Sequence, residues 1–248
     1  MPYDISFDAL LDRANADPAV LGVLLSGSRV HEGLATARSD HDLWVVTADG
    51  AHSPIRAWHG FRSARLDVVV LSLAEFRLRG LPGDAQSWSR YAFVHARVLT
   101  DRLGGGIGRV LDRKRTLTAR EASAHAAGHL DAYANQTYRS MKNHRAGRAG
   151  LAHLDAAEAV PFLLETLFAL HARVRPYNSY LEWELRHHPL GARVWEGERL
   201  LPRLRRVVAD GDRATQRALF ADVERAARAG GHGGVLDAWG ADLELMRP

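Results

Sequence analysis

The chain has no cysteine among its 248 residues, which excludes disulfides, thiolate metal sites and cysteine nucleophiles. It also has no apolar stretch near the ~20 residues that a membrane-spanning helix needs. The longest candidate, residues 160–170, is interrupted by Pro161 and Glu165. The first residues, MPYDISFDALLDR, include early acids and no long apolar core, so we do not expect a signal peptide. We therefore expect a cytoplasmic protein with no membrane partner.

Lysine is scarce, because Lys114 and Lys142 are the two lysines and the remaining basic residues are arginines. The formal net charge is +4 and the isoelectric point about 9.7. This mild basicity fits a small polyanion such as a nucleotide. It is too weak to predict duplex DNA binding, which usually needs a clustered basic face, so a nucleic acid is not an expected partner. The length suits one large domain or two small ones.

Hydrophobic patterning divides the chain into a mixed part and a helical part. Short apolar runs predict strands over residues 20–25, 42–47, 65–71 and 96–100, with helices starting near residues 7 and 72. The glycine-rich segment 103–108 predicts a flexible linker, and helical periodicity follows it. The predicted fold is therefore α+β, with a small mixed sheet in residues 1–103 and a helical bundle in residues 109–248. A doubly wound sheet is not expected, because residues 47–65 are too few and too polar for a full crossover helix.

The strongest chemical signal is a pair of acids at the start of the second predicted strand. Asp40 and Asp42 are two residues apart, so their side chains project to the same side of the strand. Two carboxylates held this close repel each other unless a cation lies between them. A hard divalent ion, normally Mg²⁺, is the natural partner, and Mg²⁺ also accepts phosphate oxygens as ligands. The spacing therefore predicts a metal site that binds a nucleotide.

Three further residues fit the same site. Asp67 lies in the apolar third strand, where an idle aspartate would be costly. If that strand pairs beside residues 42–47, Asp67 completes a cluster that could hold two metal ions, and it could also accept a proton from an acceptor hydroxyl. Gly27 and Ser28 follow the first strand. There a glycine permits close approach of the backbone to a phosphate, and a serine offers its hydroxyl and its N–H.

Residues 22–46, GVLLSGSRVHEGLATARSDHDLWVV, resemble the signature of the polymerase-β-type nucleotidyltransferase superfamily. Within it they look most like the antibiotic (aminoglycoside) nucleotidyltransferases. The resemblance implies that Gly27 and Ser28 bind the triphosphate of an NTP. It also implies that Asp40 and Asp42 bind Mg²⁺, and that Asp67 is the third metal ligand or the catalytic base. The implied reaction is transfer of a nucleoside monophosphate from an NTP to an acceptor.

The helical part carries weaker candidates. Glu158 and Glu165 are seven residues apart, which places both on one face of a predicted helix. They could bind an amine-bearing acceptor, and Glu165 could serve as a second catalytic base. On the preceding helix, Arg139 or Lys142 could reach the nucleotide phosphates. The alternative for each pair is ordinary surface charge.

Other interpretations remain open. The segment from Arg139 to His144 resembles the Arg-x4-His motif of HEPN-type helical domains, which accompany minimal nucleotidyltransferases. The chain could therefore be a nucleotide-binding, antitoxin-like module with a HEPN-type helical domain. It could also be a nucleotidyltransferase that acts on protein or RNA. His125 and His129 are four residues apart, but no HExxH glutamate lies between them, so the sequence assigns them no zinc.

Overall fold

The computed structural model describes residues 5–248, so the first four residues of the predicted 1–103 domain lie outside the described part. The chain divides into two compact units, Met1–Thr116 and Leu117–Pro248. The first unit contains α1 (Phe7–Ala16), β1 (Val20–Ser26), β2 (His41–Thr47), β3 (Phe61–Arg62), β4 (Leu66–Ser72), α2 (Leu73–Leu78), β5 (Arg97–Asp101) and α3 (Gly106–Arg115), with short 3₁₀ helices at Gly27–Val30, Pro54–Trp58 and Ser87–Phe93.

The five strands form one mixed sheet in the order β3-β4-β2-β1-β5. Strand β1 pairs antiparallel with β2 and with β5, β3 pairs antiparallel with β4, and β2 runs parallel to β4. The predicted α+β class with a mixed sheet is confirmed. A 3₁₀ helix and the short strand β3, which was not predicted, connect β2 to β4 in place of a long crossover helix.

Both faces of the central strands β1, β2 and β4 are largely buried, which explains why these three strands are nearly continuous apolar runs. One face packs against α1 through Leu10 and Ala14, in a cluster that includes Val23 and Val45. The next residues along β1 and β2 belong to a second cluster on the other face, together with side chains of α2 and α3. The alternation of side chains along each strand therefore fixes which residues reach each layer.

The segment predicted to be a flexible linker instead begins a helix. The Asp101 carboxylate accepts hydrogen bonds from the backbone N–H groups of Leu103 (2.8 Å), Ile107 (3.1 Å) and Gly108 (3.2 Å), so it caps α3. Ile107 and Leu111 on this helix are fully buried in the second cluster. The division of the chain consequently falls after Thr116 rather than at the glycines.

The second unit is helical throughout its regular structure. Its helices are α4 (Ala119–Arg145), α5 (Ala149–Leu170), α6 (Asn178–His187), α7 (Gly197–Asp210), α8 (Arg213–Ala229), α9 (Gly233–Asp237) and α10 (Leu243–Met246). The Thr118 hydroxyl accepts from the N–H of Glu121, whose carboxylate accepts from the N–H of Thr118, so a capping box starts α4. Among residues 5–248, no helix is both long enough and apolar enough to cross a membrane.

Candidate active site

Strand β1 ends in a tight turn whose geometry requires glycine. Gly27 has a φ of +73°, a left-handed conformation that side chains disfavour. A Cβ added there would overlap the Asp42 carboxylate, because it would lie 2.8 Å from Asp42 Cγ. The sequence predicted that the backbone comes close to a phosphate at Gly27. The structure places the backbone against a carboxylate that is itself a predicted metal ligand.

Strand pairing brings the predicted acids to one edge of the sheet. Asp42 is the register partner of Asp67 in the parallel pair of β2 and β4, and of Ser26 in the antiparallel pair with β1. Adjacent strands lie about 4.8 Å apart, so the two aspartates are close neighbours. Asp40 immediately precedes β2. The condition stated from the sequence, that the strand carrying Asp67 pairs beside the strand carrying Asp42, is met.

The three acids interact electrostatically. The pKa of Asp42 is raised from its ordinary 3.8 to about 6, first by burial and then by the negative charges of Asp40 and Asp67. The positive charge of Arg62 opposes it. A carboxylate in these surroundings gains stability from a bound cation, whose attraction would offset both the repulsion and the loss of solvation.

Asp67 has a buried carboxylate oxygen without a hydrogen-bond donor. Its Oδ1 is buried and makes no hydrogen bond in the structure. Its Oδ2 lies 3.3 Å from Nε of Arg62, a side chain that is 78% exposed. A buried carboxylate oxygen without a donor is costly, and a metal ion or the hydroxyl of a bound molecule would satisfy it. The donor set therefore fits a hard divalent cation.

The carboxylate oxygens of Asp40, Asp42 and Asp67 do not all lie within 4.8 Å of one another. In the described part of the chain, the potential ligand atoms that do lie within 4.8 Å of one another belong to His125, His129 and Glu165. A wider arrangement is compatible with two Mg²⁺ ions, because two-metal sites place their ions about 3.5–4 Å apart and each acid need not bind both.

Side chains that the sequence did not single out hold this edge together. Arg29, next to Ser28 in the 3₁₀ helix, donates from Nε to the Asp40 carbonyl (2.9 Å) and from Nη2 to the Ser39 carbonyl (2.5 Å). It therefore fixes the chain just before β2. The signal that could have revealed it is an arginine directly after a Gly-Ser turn, which is too common to be specific.

His31 closes the same turn from within. Its Nδ1 donates to the Gly27 carbonyl (2.7 Å), because a carbonyl can only accept. The remaining nitrogen, Nε2, then accepts from the Tyr91 hydroxyl at 3.2 Å. His31 is 5% exposed. Neither residue was predicted, because they are 60 positions apart in the sequence.

The predicted phosphate-binding cations lie on α4 in the second unit. Arg139 is 59% exposed, and its Nε lies 3.8 Å from Asp155 Oδ1. Lys142 is exposed, with its Nζ 5.1 Å from the ring centroid of Tyr138. His144, the other residue of the Arg-x4-His motif, places Nε2 3.0 Å from the Gly211 carbonyl. A role of Arg139 or Lys142 in nucleotide binding stays a prediction.

The two predicted acceptor-binding acids differ in their surroundings. Glu158 is exposed on α5. Glu165 is partly buried, and its Oε1 lies 3.4 Å from Nη1 of Arg175. An amine-bearing acceptor would have to share Glu165 with this arginine. Their role towards an acceptor also stays a prediction.

Comparison with known proteins gives little beyond the geometry. No family model matches the chain, and no curated protein matches it. Among solved structures, it is similar to a nucleotidyltransferase-like protein from Exiguobacterium sibiricum. That protein is 11% identical, and the alignment covers 92% of this chain and 76% of the other, with a TM-score of 0.47. A likeness this distant carries no inference about activity.

Proposed function

We propose that the first unit is a Mg²⁺-dependent nucleotidyltransferase. The proposed reaction transfers a nucleoside monophosphate from an NTP to a hydroxyl of a small, aminoglycoside-like acceptor and releases pyrophosphate. The observation that carries this proposal is the edge of the sheet where Asp42 and Asp67 are register partners beside the turn at Gly27. Acids from adjacent strands, next to a glycine turn that leads into a 3₁₀ helix, are suited to bind a metal-bound triphosphate.

Each residue has a proposed task that follows from its position. Asp40, Asp42 and Asp67 would hold two Mg²⁺ ions, which when bound neutralise phosphate charge and align the attacking and leaving oxygens. Ser28, which is partly exposed in the 3₁₀ helix, would donate its hydroxyl and N–H to the triphosphate. Arg29 would keep Asp40 in place through the backbone bonds that it makes.

Asp67 is the preferred base. Its Oδ1 has no donor, so it has a free acceptor position for the proton of the acceptor hydroxyl. Its other oxygen lies 3.3 Å from Nε of Arg62, whose exposed side chain can move aside when that oxygen binds a metal ion. In the second unit, Arg139 and Lys142 are proposed for phosphate binding, and Glu158 and Glu165 for acceptor binding with Glu165 as a second candidate base. These four assignments rest on the sequence.

The test is an assay of pyrophosphate release with each of the four NTPs. The acceptors form a panel of hydroxyl-bearing compounds that includes aminoglycosides and lincosamides. Asp67→Asn should lower turnover at least about 100-fold, as loss of a general base typically does. Asp112→Asn, on an exposed side chain of α3 paired with Arg115, is the matched control and should retain turnover.

The same assay separates the alternatives. NTP binding without pyrophosphate release for any acceptor would favour the nucleotide-binding, antitoxin-like module. Release that requires a protein or RNA acceptor would keep the chemistry and change the substrate class. Metal-independent NTP binding that survives Asp40→Ala and Asp42→Ala would contradict the proposed site.

A further inference from the structure

A second group of metal-ligating side chains lies within the helical unit. His125 and His129 are one turn apart on α4, and Glu165 comes from α5. Each offers one ligand atom, and these atoms all lie within 4.8 Å of one another. A zinc ion binds nitrogen and oxygen ligands at about 2.0–2.2 Å, which places neighbouring ligand atoms about 3.4 Å apart. Small side-chain rotations would close the difference.

The histidine that faces α5 is already held in a metal-binding form. Nδ1 of His129 lies 2.9 Å from the carbonyl of His125, and a carbonyl can only accept, so Nδ1 carries the proton. The lone pair of the neutral ring is then on Nε2. A backbone carbonyl on the far nitrogen is the usual partner that orients a metal-bound histidine. His129 also lies beside Phe162 of α5, at 6.2 Å between ring centroids.

The carboxylate is oriented in a similar way. Oε1 of Glu165 lies 3.4 Å from Nη1 of Arg175, whose Nη2 donates to Oδ1 of Asn178 at 3.0 Å. A carboxylate has two oxygens, so one can stay with the arginine while the other binds a metal. Ligating carboxylates are commonly hydrogen-bonded on their outer side.

From this arrangement we propose that His125, His129 and Glu165 form a zinc site that joins α4 to α5. Two imidazoles and one carboxylate are a ligand set that zinc takes in proteins, whereas Mg²⁺ prefers oxygen ligands alone. Three protein ligands leave a fourth position for water or a small anionic ligand. The site is separate in sequence and chemistry from the aspartates of the first unit, and it does not depend on the proposed nucleotidyl transfer.

The histidine pair alone was not enough to predict this site. Residues at i and i+4 share one helix face, and 13 histidines make such a pair unremarkable. The third ligand lies 36 positions further along the chain than His129. Glu165 was a candidate acceptor-binding residue or base, and the zinc site gives it a different role, which experiment can separate.

The test is a zinc titration of the chelator-treated full chain by calorimetry, with Mg²⁺ present throughout to occupy oxygen-only sites. One zinc per chain should bind, and Co²⁺ in its place should give the intense visible bands of four-coordinate cobalt. His129→Ala and Glu165→Gln should each weaken zinc binding by more than the about 10–100-fold typical of losing an outer-shell partner.

His187→Ala is the matched control. His187 is exposed on α6 and makes the same kind of bond, from Nδ1 to the Trp183 carbonyl four residues earlier, without belonging to the cluster. Zinc affinity should be unchanged in this variant. Circular dichroism of each variant separates loss of ligands from loss of the fold, and Glu165→Gln, which preserves side-chain shape, keeps the test valid if His129→Ala unfolds.

Three results would overturn the proposal. The first is the absence of stoichiometric zinc binding by the wild-type chain, and the second is equal zinc affinity in His129→Ala, Glu165→Gln and His187→Ala. The third is a Glu165→Gln variant that loses nucleotidyl transfer but keeps full zinc affinity, which would return Glu165 to the acceptor side.

Discussion

Replacing Asp42 by asparagine should stabilise the metal-free protein and abolish its response to Mg²⁺. Asp42 is half-buried at the start of β2, and its pKa is raised from 3.8 to about 6, first by burial and then by Asp40 and Asp67. Above pH 6 the folded protein therefore holds an unfavourable negative charge. Asparagine keeps the shape of the side chain and removes that charge.

The size of the effect follows from the pKa. Each pKa unit is worth about 1.4 kcal/mol, so ionising Asp42 in the fold costs about 3 kcal/mol at neutral pH. Because the carboxylate retains contact with solvent, screening reduces this to about 1.5 kcal/mol. In a chain of this size that corresponds to a rise in Tm of roughly 3–6 °C. For a carboxyl with a raised pKa, stability is greatest at low pH and is lost as the pH rises from about 4 to about 6. The advantage of the variant should therefore shrink as the pH falls towards 4.

The assay is thermal denaturation of wild type and Asp42→Asn without metal across that pH range, then with Mg²⁺ and a nucleotide at neutral pH. Wild type should gain stability from Mg²⁺ and nucleotide, and the variant should gain little. Asp112→Asn, which changes an exposed acid of the same unit, should show neither effect. An Asp42→Asn variant less stable than wild type at neutral pH without metal, or equally stabilised by Mg²⁺, would refute the reasoning.

Three further predictions concern the same edge of the sheet. Gly27→Ala should lower Tm, because a side chain in the left-handed backbone conformation costs about 1–2 kcal/mol. It should also weaken Mg²⁺-dependent nucleotide binding, because the added Cβ displaces Asp42. Unchanged nucleotide affinity by calorimetry would contradict this. The Mg²⁺ affinity of the wild type should fall as the pH drops through about 6, where Asp42 takes up a proton. A Mg²⁺ affinity that calorimetry finds constant from about pH 5 to 7.5 would count against Asp42 as a ligand. Arg29→Gln should raise the Mg²⁺ concentration needed for turnover about tenfold, because the Ser39 and Asp40 carbonyls lose their hydrogen-bond donor. A dependence of turnover on Mg²⁺ that matches wild type would show that Arg29 is not needed to position Asp40.

Several features of the site could be predicted because they depend on local order along the chain. The apolar run after Asp42 predicted that this acid stands at the start of a strand, and Asp42 does lie at the start of β2, with Asp40 just before that strand. A buried apolar run around Asp67 signals a costly acid in any fold. The capping box at Thr118 is likewise contained within four residues. The positions of β1, β2, β4 and β5, the starts of α1 and α2, and the helical character of the second unit followed from the same short-range periodicity.

Other features were decided by contacts between residues far apart in the sequence. The register that sets Asp42 beside Asp67, and Arg62 opposite Asp67, depends on how two strands and a short connection pack. Residues 103–108 have the composition of a linker, but Asp101 caps the segment and burial of Ile107 on the sheet makes it the start of a helix. The glycine content of this segment therefore could not predict that it would begin a buried helix.

The helical unit shows the same division most clearly. Helical spacing alone determined that His125 and His129 share a face of α4. Only the packing of α5 against α4 brings Glu165 to them, and the apolar side chains that drive this packing are separate from the ligands. Short-range order along the chain determines which side chains share a face of each helix or strand. The tertiary fold decides which of these side chains come into contact, because the packing of helices and strands depends on the burial of apolar side chains distributed along the whole chain.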